Sequence, residues 1–548
     1  MRRLAAILLA ILAIGAAAVR AADARRPSFL VIVADDLGFS DLGAFGGEIE
    51  TPRLDQLAYA GLRMTNFHTA AACSPTRAML MTGTDHHVAG LGNMKELLTP
   101  RQRGKPGYEG HLNDRVVTLA EVLRDAGYRT VMSGKWHLGV EPEHDPYRRG
   151  FERTFALLDG GHNHFGKLDL PPKELGGVHY TENGKPVVPT PPFYSSDYFT
   201  DRLLEFLRED DSGRPFFAYL AFTAPHWPLQ APPELIAKYR GRYDAGWEAL
   251  LRERIEGQRR LGLLPPHADL SLPPTLLPWS SLDPAEQARQ SRKMEIYAAM
   301  VERMDWNVGR VIDHLRESGR LDDTVVIFFS DNGAAPDSVT HTLLKLAGID
   351  VQEVDLDEMG SADSILSYGP HWAQAAAAPR RLYKSASTEG GLLTPAIVHY
   401  PGFRRQGAVT DAFATVMDIM PTLLEMAGAR HPGRGYRGRP VEPMLGKSML
   451  PFLTGDRAHI HDEEEVFAWE LFGQRAVRQG HWKITYVSPP NGSGRWELYD
   501  LSRDPGERHD LSAKHPDVLE RLIGHWNAYE RTMGLILEEQ VVSPYTNR

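Results

Sequence analysis

One cysteine serves the whole chain of 548 residues, and it stands in the stretch AACSPTRAMLMTG as Cys73. Ser74 suits a helix N-cap, Pro75 the first helical turn and Gly83 a helix end. The stretch therefore predicts a short helix with Cys73 at its start. Free N–H groups and the helix dipole favour an anion there, and Arg77, four residues on, shares the helix face. Such surroundings predict a thiol with a lowered pKa and raised reactivity. The competing assignment is a buried packing cysteine.

Two adjacent pairs offer a second kind of chemistry: Asp35-Asp36 in VIVADDLG and Asp331-Asn332 in FFSDNGA. Four oxygen-donor side chains brought together repel one another unless a cation lies between them. An oxygen-only set points to a hard ion, Ca²⁺ or Mg²⁺, and not to zinc. Each pair alone could equally start a turn. A third group is basic: Lys135 and His137 in GKWHLG, His226 in APHWPLQAP and Lys384 in RLYKSASTEGG. Singly, such histidines are as often structural, and a lone lysine is usually a solvated surface residue.

What could bring these residues together is the set of elements that carry them. SFLVIVADDLG, YRTVMSGKWHLG, PFFAYLAFTAPHWP and DTVVIFFSDNGA are apolar runs that each end in the polar residues above. Runs of this kind suit strands buried on both faces of a mainly parallel sheet. Helical spacing lies between them, over Val117 to Ala126 and most clearly from Glu286 to Ser318, where Met294, Tyr297, Met300, Val301, Met304, Val308, Val311, Ile312 and Leu315 recur on one face. Alternating strands and helices predict an α/β domain with a large mixed, mainly parallel sheet flanked by helices, and open sheets of this class place their sites at the carboxyl ends of strands. Pro- and Gly-rich stretches near Lys167 to Ser196 and Ala335 to Arg381 read as long loops that shape a pocket. VFAWELFG, QRAVRQGHWKITYV and RWELYDL, followed by a helix from Pro516, predict a smaller C-terminal α+β domain with an antiparallel sheet. The expected boundaries are 26–455 for the catalytic domain and 456–548 for the C-terminal one.

The formal charge of −10 is spread along the chain and gives no basic footprint for nucleic acid. An anionic substrate would have to be captured locally against that field. The first residues, MRRLAAILLAILAIGAAAVRAADA, combine a basic start, an apolar run and small residues, which predicts a signal peptide over 1–21 and export to the periplasm or the medium. The alternative is an uncleaved anchor over Leu4 to Val19. No other stretch is long and apolar enough for stable membrane insertion once the leader is cleaved. A single cysteine cannot form the intrachain disulfide that export often brings.

These elements, taken in order, resemble the sulfatase family and within it the bacterial arylsulfatases. CSPTRAMLMTG fits the family's Cys-x-Pro-x-Arg signature and GYRTVMSGKWHLG its second signature. DDLG, SDNGA, APHWPLQAP, RLYKSASTEGGLLTPAIV and the C-terminal ELYDLSRDPGERHDLS are similar as well, so the resemblance spans nearly the whole chain. It implies an alkaline-phosphatase-like fold. It also implies that Cys73 is oxidised after translation to formylglycine (3-oxoalanine) by a maturation enzyme, and that the hydrated aldehyde attacks the sulfur of a sulfate ester. Asp35, Asp36, Asp331 and Asn332, with residue 73 itself, would hold Ca²⁺. Arg77, Lys135 and Lys384 would neutralise the sulfuryl oxygens and position the nucleophile. His226 and Lys384 would protonate the leaving oxygen, and His137 would take a proton from residue 73 as sulfate is released. Lys135, His226 and Lys384 would also bind substrate.

Two other functions compete. A phosphate or phosphonate monoester hydrolase of the same fold is one, although two-metal phosphatases usually carry a histidine where this chain has Asn332. A calcium-dependent glycan-binding protein with an unmodified Cys73 is the other.

Overall fold

The computed structural model describes residues 26–166, 177–209, 212–265, 268, 276–336 and 354–537. The expected signal peptide over 1–21 lies outside them, as do 167–176 and 337–353 of the two long loops. Among the described residues, no helix is long and apolar enough to cross a membrane.

Among the described residues, eleven strands build the main sheet: β1 (Ser28–Ala34), β2 (Leu62–His68), β3 (Arg129–Lys135), β4 (Arg153–Leu157), β5 (Tyr180–Glu182), β6 (Lys185–Val187), β7 (Phe216–Ala221), β8 (Thr324–Ser330), β9 (Leu393–His399), β10 (Ala408–Thr410) and β11 (Ala414–Thr415). Their spatial order is β10-β2-β9-β8-β1-β7-β3-β4-β5-β6, with β11 also on β2. The five central strands β8-β1-β7-β3-β4 run parallel, while β9 runs against both β8 and β2.

The sheet is covered on both sides, and the pleat shows how the sequence achieves this. Along β1, Leu30, Ile32 and Ala34 join one apolar layer, and Phe29, Val31 and Val33 join the other. An unbroken apolar run is therefore two interleaved faces of period two. The first layer contains Met294, Tyr297, Met300, Val301, Met304 and Val308 of the long helix Pro284–Glu317. Asp283 caps that helix by accepting from the Glu286 N–H at 2.9 Å, and Pro284 opens it. The second layer contains Ala78 to Met81 of the helix that starts at Cys73, and Leu119, Ala120, Val122 and Leu123 of the short helix Leu119–Asp125. That short helix begins in a Thr118–Glu121 capping box. Within the two expected loops, Tyr180 to Val187 form β5 and β6, and Gly369–Ala376 is a helix.

Beyond a short ribbon, β12 (Gly435–Tyr436) with β13 (Arg439–Pro440), the chain forms a four-stranded antiparallel sheet. Its strands are β14 (Val466–Leu471), β15 (Gln474–Gln479), β16 (Trp482–Tyr486) and β17 (Trp496–Asp500). Val477, Ile484 and Leu498 face the helix Pro516–Met533, meeting its Val518, Leu522 and Trp526. Trp469, Leu471 and Ala476 face the other way and pack on Ala71, Ala72, Met94 and Leu392 of the main body.

Buried charges stitch this second seam. Lys483 on β16 reaches Glu389 Oε1 at 2.6 Å and Glu507 Oε1 at 2.9 Å, while His68 Nε2 faces Glu389 Oε2 at 3.0 Å. Farther along, His87 Nδ1 lies 3.0 Å from Asp85 Oδ1, and its Nε2 lies 3.1 Å from Glu470 Oε2 on β14. Two carboxylates require two donors, so this imidazole is held as the cation. Burial opposes that charge, but the bonds to Asp85 and Glu470 outweigh it and raise the His87 pKa to about 9.

The linkage has a definite sign. Stability from His87 is fully present below its unfolded pKa near 6.5 and is lost as pH rises through about 9. We expect unfolding free energy to fall by on the order of 3 kcal/mol across that interval. His87→Asn should flatten this slope in denaturant titrations at a series of pH values; an unchanged slope would show that the seam is not charged as described.

Candidate active site

Because β1, β3, β7 and β8 are parallel, they deliver their carboxyl ends to one edge of the sheet. Ala34 stands opposite Ser330 in the register, so Asp35 and Asp331 leave the sheet side by side. The Asp331 N–H donates to Ala34 O at 3.0 Å, and the Asp35 N–H to Ala224 O at 3.1 Å. The antiparallel β9 presents its start at this edge, with Leu393 opposite His68 of β2, so the segment carrying Lys384 enters where Cys73 follows β2.

The helix Cys73–Thr82 opens with Ala72 at the N-cap in extended conformation. Ser74 is therefore not the cap; its Oγ is buried without a hydrogen-bond partner. Thr76 closes the turn instead, its Oγ accepting from the Ala70 N–H at 2.9 Å and donating to Ala70 O at 3.2 Å. Gly83 ends the helix in the left-handed region at φ 63, its N–H bonded to Met79 O.

Cys73 Sγ donates to Asp35 Oδ1 at 3.3 Å and accepts from Lys384 Nζ at 3.2 Å. The thiol departs from the expected lowered pKa. Burial, followed by the Asp331 and Asp35 carboxylates, pushes it well above its ordinary value despite Lys135 and Lys384. Arg77 does not change that balance, because its guanidinium is committed to Asp331 Oδ2 through Nε at 2.9 Å and Nη2 at 2.6 Å. Residue 73 is therefore held in its protonated, less nucleophilic form.

Lys135 Nζ donates to Asp35 Oδ2 at 2.6 Å and Lys384 Nζ to Asp36 Oδ1 at 2.7 Å. Asn332 Nδ2 also donates to Asp36 Oδ1, at 2.6 Å. His226 Nε2 lies 3.5 Å from Asp36 Oδ2. Burial disfavours the Asp35 carboxylate, but Lys135, His226, Arg77 and Lys384 hold its pKa well below the usual range. Asp331 moves the other way, to about 6, through burial and the neighbouring Asp35 and Asp36 charges, against Arg77 and Lys135. Burial brings His226 down to about 4, with Asp36 and Asp35 opposing.

Nine of the ten residues singled out in the sequence are thus joined by direct contacts. The tenth, His137, follows β3 in a left-handed backbone conformation (φ 57), and its Nε2 meets Glu96 Oε1 at 3.1 Å. Sequence reading missed Glu96. It also missed Tyr219, whose Oη accepts from Arg77 Nη1 at 3.4 Å, and the pair Gly160-Gly161. A Cβ on Gly160 would stand 2.8 Å from His137 Cε1, and one on Gly161 3.4 Å from His226 Cε1, so the pair lets the chain lie against both imidazoles.

The cluster fits a hard divalent cation. Asp36 Oδ2 and Asn332 Oδ1 are buried oxygens without hydrogen-bond partners, which is costly unless something else satisfies them. Ligand atoms of Asp35, Asp36, Cys73 and His226 lie within 4.8 Å of one another. Three buried carboxylates of the chain face three buried cations, so a bound dication would leave a positive excess at the edge of an acidic protein.

Comparison with known proteins agrees with this arrangement. The sulfatase family model matches residues 27–429, and the model for the C-terminal part of N-sulphoglucosamine sulphohydrolase matches 381–523. An uncharacterised sulfatase of Schizosaccharomyces pombe is 47% identical over 530 residues, covering 94% of this chain and 95% of its own. The arylsulfatase of Klebsiella aerogenes is 39% identical over 452 residues, covering 82% and 96%. Among solved structures, Ps i-CgsB in complex with k-i-k-neocarrahexaose superposes with TM-score 0.66 at 24% identity, covering 92% of this chain and 93% of its own. The phosphonate monoester hydrolase of Agrobacterium radiobacter does so with TM-score 0.55 at 22%, covering 93% and 96%. These two likenesses concern the fold alone. With the family model matched over most of its length and these relatives covered nearly end to end, the chain belongs to the sulfatase family of sulfuric ester hydrolases.

Proposed function

We propose that the chain is an exported arylsulfatase that cleaves sulfate monoesters to a phenol or alcohol and inorganic sulfate, using a formylglycine made from Cys73 and a calcium ion. The observation that carries this reading is the seat of Cys73. The chain's sole thiol, Cys73 Sγ, lies between Asp35 Oδ1 and Lys384 Nζ, beside two unpartnered oxygens of Asp36 and Asn332. Sulfur is a poor match for a hard cation and an aldehyde-derived oxygen a good one.

Asp35, Asp36, Asp331 and Asn332 would hold the calcium, and together the ion and the formylglycine would supply a nucleophilic oxygen near neutral pH. The rest falls to side chains in place. Arg77, Lys135 and Lys384, all buried, supply fixed positive charge for the sulfuryl oxygens without needing to reorganise. His226 and Lys384 meet on Asp36, where they can return a proton to the leaving oxygen. His137, beyond Lys135 on the same strand end, takes up a proton at residue 73. A maturation enzyme must act on Cys73, and the leader over 1–21 would export the product.

Four measurements test this. Mass spectrometry of the peptide containing residue 73 should show sulfur replaced by an aldehyde oxygen, and Cys73→Ala should lower kcat/KM by at least about 10³-fold. An unmodified, fully active Cys73 would sink the mechanism. Chelation, or Asn332→Ala, should cost about 10- to 100-fold in activity while leaving the fold intact by circular dichroism; full activity in chelator would remove calcium. Aryl sulfates should be turned over well ahead of matched aryl phosphates and phosphonates, and the reverse order would make the chain a phosphoester or phosphonate hydrolase.

A further inference from the structure

His137 is clamped on three sides. Its side chain is 9% exposed, and its backbone is left-handed. Gly160 lies so close that an added Cβ would meet Cε1 and Nε2 at 2.8 Å and Glu96 Oε1 at 3.4 Å. The third side is the Glu96 carboxylate, 3.1 Å from Nε2. The other ring nitrogen, Nδ1, is buried with no hydrogen-bond partner.

Glu96 is itself firmly placed although its side chain is 42% exposed. It sits in the one-turn 3-10 helix Lys95–Leu97. Asn93 Nδ2 ties that turn by donating to Leu97 O at 3.0 Å and Gln102 Oε1 at 2.8 Å. Met94 and Leu97 pack against Trp469 and Leu471 of β14. Gln102 Nε2 in turn donates to Ile536 O at 3.3 Å, past the C-terminal helix. The loop is therefore held at both ends by the C-terminal sheet and tail.

A neutral imidazole carries one N–H and one lone pair, and a carboxylate on Nε2 demands the N–H there. We propose that Glu96 is a positioning residue for the hydrolysis: it fixes His137 as the Nε2–H tautomer, leaves Nδ1 as the nitrogen that accepts the proton, and stabilises the imidazolium that results. This rests on the reading of His137 as the group that takes a proton at residue 73. The charged groups that face His137 are Glu96, Lys135, Arg77 and Asp159. Burial lowers the His137 pKa most, Lys135 and Arg77 lower it further, and Glu96 works against them. Without the carboxylate the imidazole would be still harder to protonate.

The test compares wild type, Glu96→Gln, Glu96→Asp, His137→Ala and the double variant Glu96→Gln/His137→Ala, with equal conversion of residue 73 verified by mass spectrometry. Independently of turnover, ¹⁵N shifts of the His137 ring in histidine-labelled protein should report the Nε2–H tautomer in wild type. In Glu96→Gln they should report a mixed tautomer that titrates at lower pH. In kinetics, Glu96→Gln should lose about 10- to 100-fold in kcat with KM little changed. The acid limb of its kcat profile should move to lower pH, Glu96→Asp should recover part of the loss, and Glu96→Gln should cost nothing further on His137→Ala. Wild-type tautomer, limb and kcat in Glu96→Gln would overturn the inference, as would an additional loss in the double variant. Wild-type kcat in His137→Ala would instead overturn the reading of His137 itself.

Discussion

Neutralising buried charge is the constraint on which this structure turns. Asp35, Asp36 and Asp331 leave the strands with no exposed surface to speak of, and ionised carboxylates in such a place are expensive unless each meets a partner. Lys135 answers Asp35, Lys384 answers Asp36 and Arg77 answers Asp331, from three different elements. Truncating any one of the six strands an opposite charge inside the protein. The site is accordingly part of what holds the loops at the sheet edge, and its geometry is as fixed as the core. Fixed charges are what a reaction that moves negative charge can exploit, since nothing has to reorient when that charge shifts.

The sheet makes this arrangement possible by simple bookkeeping of direction. Four parallel strands and one antiparallel strand bring residues far apart in sequence to one edge, through backbone bonds such as Asp331 N–H to Ala34 O. The glycines do the fine spacing. Gly134, on β3 one residue before Lys135, lies so near β7 that a Cβ would fall 1.9 Å from Ala221 O. A side chain there would push apart the two strands that aim Lys135 and His226.

Much of this was legible in the sequence because it depends on local pattern. Apolar runs ending in Asp35-Asp36, Lys135 and Asp331-Asn332 state both a buried strand and a polar end, and the long helix is written in its spacing from Met294 to Leu315. What could not be read depends on contacts between distant segments. Ser74 has a good capping side chain, yet Thr76 closes the turn because Ala70 is folded back over it. The helix start suggested a reactive thiol, but burial, and after it the carboxylates arriving from β8 and β1, reverse the sign. Glu96 gives no local signal at all, since its partner lies across the sheet edge and its loop is anchored by residues near the end of the chain.

The backing of Cys73 has a consequence for the order of events in the life of the chain. Cys73 is 1% exposed, with Lys384 in front of it and Trp469 and Leu471 packed behind its neighbours Ala71 and Ala72. All of these covering residues are synthesised after it. Any enzyme that alters residue 73 must therefore reach it while the chain is still open, between the emergence of the helix start and the docking of the last sheet. If Cys73 is converted as proposed, speed of folding competes with chemical completion: a chain that closes too early would trap a thiol whose pKa burial and the nearby carboxylates hold high. Slow non-local pairing in a large mixed sheet lengthens that interval.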